Sequence, residues 1–70
     1  MIRVIQNREG LYLEQGGAWT MRFDLAEKFG DSGSAILAMQ RYQLQNVYLV
    51  LIVHDEPQPQ WDVVFPLRQA

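Results

Sequence analysis

The stretch WTMRFDLAEKFGDSGSA, residues 19–35, decides the fold because it connects short β-prone runs to a helical segment. Two interpretations of this stretch are open. Taken with the runs before it, the stretch predicts the connection into the helix of a small α+β domain. Taken alone, residues 25–42 have the central glycine and apolar anchors of a helix-turn-helix. The two interpretations imply different partners.

The chain before this stretch is typical of β-structure. Residues 2–6 and 11–14 are separated by a polar connection that ends in Gly10, and glycine readily takes a positive φ. These two runs therefore predict a hairpin. Residues 19–23 form either a third short strand or an ordered connection that packs two aromatic side chains on the core, and the sequence leaves both possibilities open.

Two capping signals lie further along the chain. Asp24 and Glu27 have the spacing of a capping box, so one or two helical turns should begin at Asp24 and end at the next glycine. Asp31 or Ser32 can cap a longer helix, residues 34–43. The stripe of this helix that faces the core should consist of Ala35, Ala38, Met39 and Tyr42.

The longest apolar run, residues 47–53, predicts a strand that is apolar on both faces. Because one helix covers only one face of a small sheet, the second face must meet a curled part of the same chain or another copy. Apolar side chains alternate from Trp61 onwards, which predicts a closing strand, and Pro66 indicates a sheet edge. We predict a single α+β domain, residues 1–70, with an antiparallel sheet in ββαββ order and one helix on one face.

Composition limits the classes of function. The chain has 70 residues, no cysteine and a formal net charge of −2, so it has no disulfides, no thiolate metal site and no general attraction for nucleic acid or anionic membranes. Self-association is a common way to stabilise so small a core. No apolar run reaches the roughly 20 residues that span a membrane, and the N-terminus lacks a signal-peptide pattern. We therefore predict a cytoplasmic homodimer.

Two short motifs resemble reaction centres but have no suitable partners. The tetrapeptide GDSG, residues 30–33, matches the one around the nucleophile of chymotrypsin-like proteases, yet the only histidine, His54, stands at the end of a predicted strand. Adjacent His54, Asp55 and Glu56 project to opposite sides of an extended segment and do not converge on one metal ion. We predict no enzyme activity, catalytic residue, metal, cofactor or small-molecule substrate.

The helix-turn-helix interpretation of residues 25–42 would make the protein a DNA-binding regulator. Its second helix offers only Gln40 and Arg41 to bases and phosphates. The other cationic residues are scattered along the chain and do not form a basic stripe. DNA binding is therefore the alternative prediction, and a protein partner is the first.

Small and aromatic residues form a spaced pattern in the first half of the chain. The pattern is G-x-Y-L, then W-T, then A-x-x-F and a further A, formed by Gly10, Tyr12, Leu13, Trp19, Thr20, Ala26, Phe29 and Ala35. It resembles small, uncharacterised phage and bacterial α+β proteins that begin with a hairpin and start a helix at an A-x-x-F turn. The resemblance implies core positions for these residues and no catalytic or ligand residue. It suggests a non-catalytic accessory factor of a phage or prophage that acts on a protein partner.

Apolar side chains outside the predicted core mark a candidate interface. Two of them lie on the side of the helix opposite the core stripe, and others lie on the second face of the strand at residues 47–53. Large apolar and aromatic groups dominate contacts of this kind. The candidates are Leu37, Leu44, Tyr48, Val50, Ile52 and Trp61. The sequence leaves open whether a second copy or a different protein covers them.

Overall fold

The computed structural model describes residues 1–68. The elements are β1 (Ile2–Gln6), β2 (Tyr12–Leu13), β3 (Trp19–Thr20), a 3-10 turn (Phe23–Leu25), α1 (Ser32–Arg41), β4 (Val47–Ile52) and β5 (Val63–Leu67). The strands form one antiparallel sheet in the spatial order β3-β2-β1-β4-β5. The α+β class, the antiparallel sheet and the helix are confirmed.

The predicted ββαββ order is wrong, because a third strand precedes the helix. β3 pairs with β2, so that Trp19 lies opposite Leu13 and Thr20 lies opposite Tyr12. The tight connection between these strands includes Gly17 at a φ of 99°, a conformation that glycine adopts without steric cost. Residues 19–23 could have formed a strand or an ordered connection, and the chain forms a strand at Trp19–Thr20.

Of the one or two helical turns predicted to begin at Asp24 and end at the next glycine, only a 3-10 turn forms, and it covers Phe23–Leu25. The 3-10 turn is followed by extended chain, whose amide hydrogens go to the sheet instead of to a helix. The Glu27 N–H donates to the Leu13 carbonyl at 2.8 Å, and the Phe29 N–H donates to the Arg3 carbonyl at 2.8 Å. A backbone N–H can donate to a carbonyl of a helix or of a sheet, and here both N–H groups donate to strand carbonyls.

α1 lies two residues earlier than predicted. Asp31 accepts a hydrogen bond from the Ser34 N–H at 2.7 Å, which confirms the predicted cap at Asp31. The helix ends in a Schellman motif: Gln43 has a φ of 53°, and the Leu44 N–H donates to the Met39 carbonyl at 2.9 Å. This reversal packs Leu44 against the core, so its predicted place on the outer side of the helix is wrong.

The sheet has an apolar cluster on each face. The cluster under the helix consists of Ile5, Leu13, Phe29, Ala35, Ala38, Met39, Val47 and Leu49. The predicted helix stripe is confirmed, with Tyr42 half-buried at the margin of this cluster. The cluster on the second face consists of Val4, Ala26, Val50 and Ile52.

Segments of the same chain cover the second face. Ala26 belongs to the second cluster and Phe23 packs against it, and both follow β3 in the chain. The loop between β4 and β5, residues 53–62, contributes Pro57 and Pro59 beside Val50. Of the two alternatives that the sequence left open, the chain therefore adopts the curled segment, and burial of this face does not require another copy.

Ala38→Leu should destabilise the protein by about 1–3 kcal/mol, because Ala38 is buried where the helix meets the sheet and overpacking forces the neighbours apart. A urea titration followed by far-UV circular dichroism measures the change. The matched control is Leu37→Ala on the same helix, since Leu37 is 61% exposed and the loss there should be within about 0.5 kcal/mol. An unchanged midpoint for Ala38→Leu would contradict this packing.

Candidate functional site

The helix does not extend over β5. A helix with its side chains is about 10 Å wide, whereas five strands at a spacing of about 4.8 Å extend about 19 Å. α1 packs over β1 and its neighbours, and β5 lies at the edge of the sheet beyond β4. The outermost strand therefore has no helix above its first residues, whereas its last residue, Leu67, packs against the cluster under α1.

Three consecutive apolar residues of this strand are exposed, and we call Val63, Val64 and Phe65 the β5 surface. Their exposed fractions are 43%, 55% and 47%. Val63 and Phe65 lie on the helix side of the sheet, and Val64 lies on the second face opposite Val50. Single exposed apolar residues are ordinary, whereas an unbroken exposed run on a regular strand indicates a contact surface.

A groove of about 500 Å³ continues from the end of this strand. Its lining combines the apolar side chains of Leu44, Pro66 and Leu67 with the Tyr48 ring and Arg68. Among residues 1–68, Arg68 is the only charged residue of the lining. Because Gln45 and Asn46 also line the groove, the groove adds a polar and cationic end to the apolar β5 surface.

Four of the predicted interface residues lie at or near the surface. Leu37 and Trp61 are 61% and 59% exposed, the first on the outer side of α1 and the second just before β5. Leu44 and Tyr48 are half-buried and both line the groove. The structure thus brings two of the candidates together beside β5, and it leaves Leu37 on a separate surface.

The other two candidates, Val50 and Ile52, are only 4% and 0% exposed. Neither can contact a second chain in this fold, because the loop and the segment after β3 cover their face; this corrects their assignment as interface residues. Sequence reasoning missed the β5 surface, although a signal was present. Three consecutive apolar residues before Pro66 put apolar groups on both faces of an edge strand.

Residues 25–42 do not form the two helices of a helix-turn-helix. α1 is the only α-helix in the part of the chain that the structure describes, and isolated bridges hold Ala26 to Glu14 and Phe29 to Arg3 before it. A helix-turn-helix requires two helices joined by a short turn. The alternative prediction of DNA binding therefore has no two-helix geometry to support it.

The GDSG tetrapeptide and the run from His54 to Glu56 have structural surroundings that differ from a reaction centre. In the protease-like tetrapeptide, hydrogen bonds from Ser34 hold the pKa of the Asp31 carboxyl below its ordinary value. His54 is exposed and meets the Trp61 ring edge to face, with the ring centroids 6.3 Å apart. Within residues 1–68, no three His, Cys, Asp or Glu side chains lie close enough together to hold a metal ion.

A smaller cavity, of about 130 Å³, lies between the β4–β5 loop and the second face of the sheet. Tyr12 reaches it from β2, and Asp62 reaches it from the end of the loop. Burial, and then the charge of Asp62, raise the pKa of the Tyr12 hydroxyl above its ordinary value. The Tyr12 phenol and the Asp62 carboxylate therefore lie in the same cavity and interact electrostatically.

No helix within residues 1–68 has the length and apolar character needed to cross a membrane. Comparisons of the chain with protein-family models, with curated proteins and with solved structures gave no match. The function proposed below therefore depends on the geometry of the chain itself.

Proposed function

We propose that the protein is a non-catalytic protein-interaction module of the cytoplasm whose β5 surface binds a second copy of the chain. The observation that carries this proposal is the run of three exposed apolar residues on a regular edge strand. A role as an accessory factor of a phage or prophage is part of the proposal and depends on the sequence pattern alone.

Side chains, more than backbone groups, provide the attraction. β5 pairs with β4 on one side only, but Pro66 has no amide hydrogen to offer a strand on the other side. A continuous ladder between two copies is therefore unfavourable. Valine and phenylalanine have few rotatable bonds, so their burial in a contact loses little conformational entropy.

The charges around β5 favour one alignment of the two copies. The loop before the strand carries Asp55 and Glu56, both exposed, and Arg68 follows the strand directly. In a twofold contact the same surface of each copy meets its equivalent. Two β5 strands that run in opposite directions bring Arg68 of each copy towards the acidic loop of its partner. Charge complementarity thus supports an antiparallel alignment.

Light scattering after size-exclusion chromatography tests the proposal from micromolar to millimolar concentration. The expected mass is twice the 8.2 kDa of one chain. Val64→Asp should give a monomer, because a charge in the centre of an apolar contact has no compensating partner. Leu37→Asp adds the same charge at an exposed site on α1 and should leave the dimer intact.

A second pair of variants tests the alignment. Arg68→Glu should weaken the dimer more than Arg8→Glu, which makes the same change in net charge in the turn between β1 and β2. A strict monomer at millimolar concentration would contradict self-association and leave a foreign protein as the occupant of the β5 surface. A dimer that Leu37→Asp breaks and Val64→Asp does not would move the interface to the outer side of α1.

A further inference from the structure

We propose that the cavity under the β4–β5 loop binds a primary ammonium group carried on a short alkyl chain. The cavity of about 130 Å³ has a polar lining of Gln6, Tyr12 and Asp62, and two valines and two prolines complete it. The polar groups of this site lie on the second face, and Val64 is the one residue that its lining shares with the β5 surface, so the variants that test this site are made at Tyr12 and Asp62.

Asp62 provides the main attraction. Its Oδ2 accepts a hydrogen bond from the Gln58 N–H at 3.0 Å, which closes the loop on itself. Its Oδ1 is buried and accepts no hydrogen bond from residues 1–68, and no cationic side chain in that part of the chain forms an ion pair with it. A buried carboxylate oxygen without a donor is unfavourable, and a cationic donor stabilises it most strongly.

The other polar groups of the lining are also acceptors. The Gln6 amide nitrogen donates one of its two hydrogens to the Gly10 carbonyl at 2.9 Å, and its amide oxygen can accept. The Tyr12 hydroxyl oxygen can accept, and its ring face attracts cations. Together with Asp62 Oδ1 these make three acceptors, and a primary ammonium has three donors and no acceptor.

Size and apolar lining define the rest of the ligand. The cavity is well above the roughly 15 Å³ that one water molecule needs, and the valines and prolines can contact an alkyl chain. Divalent cations such as calcium take about six to eight oxygen ligands, more than this lining offers. A free alkylamine and a lysine side chain share the required chemistry, so the test includes both.

Amide-resolved NMR titrations with n-propylammonium chloride test the site. We expect saturable shifts at the amides of Gln6, Tyr12 and Asp62, and none from sodium chloride. The neutral analogue n-propanol should bind at least about tenfold more weakly, because it lacks the charge-assisted bonds. Nα-acetyl-lysine methylamide is the second probe: equal saturation would indicate a lysine side chain as a ligand, and selective binding of n-propylammonium would indicate a free amine.

Variants make the result specific. Asp62→Asn keeps an oxygen for the Gln58 N–H and should lower the affinity about tenfold or more, and Tyr12→Phe should lower it severalfold. Asp55→Asn changes a carboxylate of the same loop outside the lining and should change nothing. Shifts that do not saturate, or that persist unchanged in Asp62→Asn, would overturn the proposal. If Asp62→Asn does not fold, an unchanged affinity in Tyr12→Phe overturns it equally.

Discussion

Val50→Asp should unfold the protein, whereas Val64→Asp should leave it folded. The two valines lie opposite each other on β4 and β5, but Val50 is 4% exposed and Val64 is 55% exposed. A carboxylate at position 50 would be buried beside Val4, Ala26 and Ile52, and an unpaired buried charge costs several kcal/mol. A single core in a domain of this size rarely provides more than about 3–5 kcal/mol of stability.

Far-UV circular dichroism and a urea titration of both variants measure this difference. The substitution is the same at both sites, so the low strand propensity of aspartate contributes to both and burial accounts for most of the remaining difference. A folded Val50→Asp variant with the wild-type midpoint would contradict the cover over the second face. If that variant were also monomeric, Val50 would again be a candidate interface residue.

Ile5→Ala should remove about 2–5 kcal/mol of stability, which is comparable to all that the domain has. Ile5 is 0% exposed and belongs to the cluster between the helix and the sheet, on β1 with β2 on one side and β4 on the other. Truncation there loses transfer free energy and leaves a space that the surrounding strands cannot fill without moving.

Urea titrations in sulfate, which strengthens apolar burial, keep a measurable native baseline for this variant. Because the proposed self-association would add concentration-dependent stability, each titration is made at two protein concentrations. The matched control is Ile2→Ala in the same strand, where the half-buried side chain should lose less. If Ile5→Ala lowered the free energy of unfolding by less than about 1 kcal/mol, Ile5 would not belong to the well-packed core.

Local pattern was sufficient for the helix and for β4. Ala35, Ala38 and Met39 have helical spacing, and their burial under the helix follows from that spacing alone. The run of residues 47–53 is apolar at every position, which is typical of a central strand. β4 indeed lies between β1 and β5, so no distant contact was needed to identify it.

Residues 24–30 could not be predicted from local pattern because the deciding hydrogen bonds are distant in sequence. Asp24 and Glu27 have the local spacing of a helix start, yet the amides of Glu27 and Phe29 donate to carbonyls in β2 and β1. A local signal of about 1 kcal/mol does not outweigh several sheet contacts. The position of those strand carbonyls is a property of the folded sheet.

The candidate site was predictable only in part for a similar reason. The exposure of Val63, Val64 and Phe65 depends on how many strands one helix can cover, and that requires the spatial order of the strands. The burial of Val50 depends on how the β4–β5 loop folds back over the sheet. Leu37 and Trp61 are both exposed: Leu37 lies off the core stripe of α1, and Trp61 began the alternating apolar pattern but lies before the first residue of β5.

Neither edge of this sheet is suited to growth by polymerisation. One edge is β3, which has two residues, and the other is β5, where Pro66 interrupts the row of amide hydrogens. Fibrils grow when each added strand finds a continuous row of donors and acceptors. A chain so rich in valine, isoleucine and aromatic residues would otherwise be a candidate for cross-β assembly. Neither edge allows continued addition of strands, so we expect concentrated solutions to stay free of filaments.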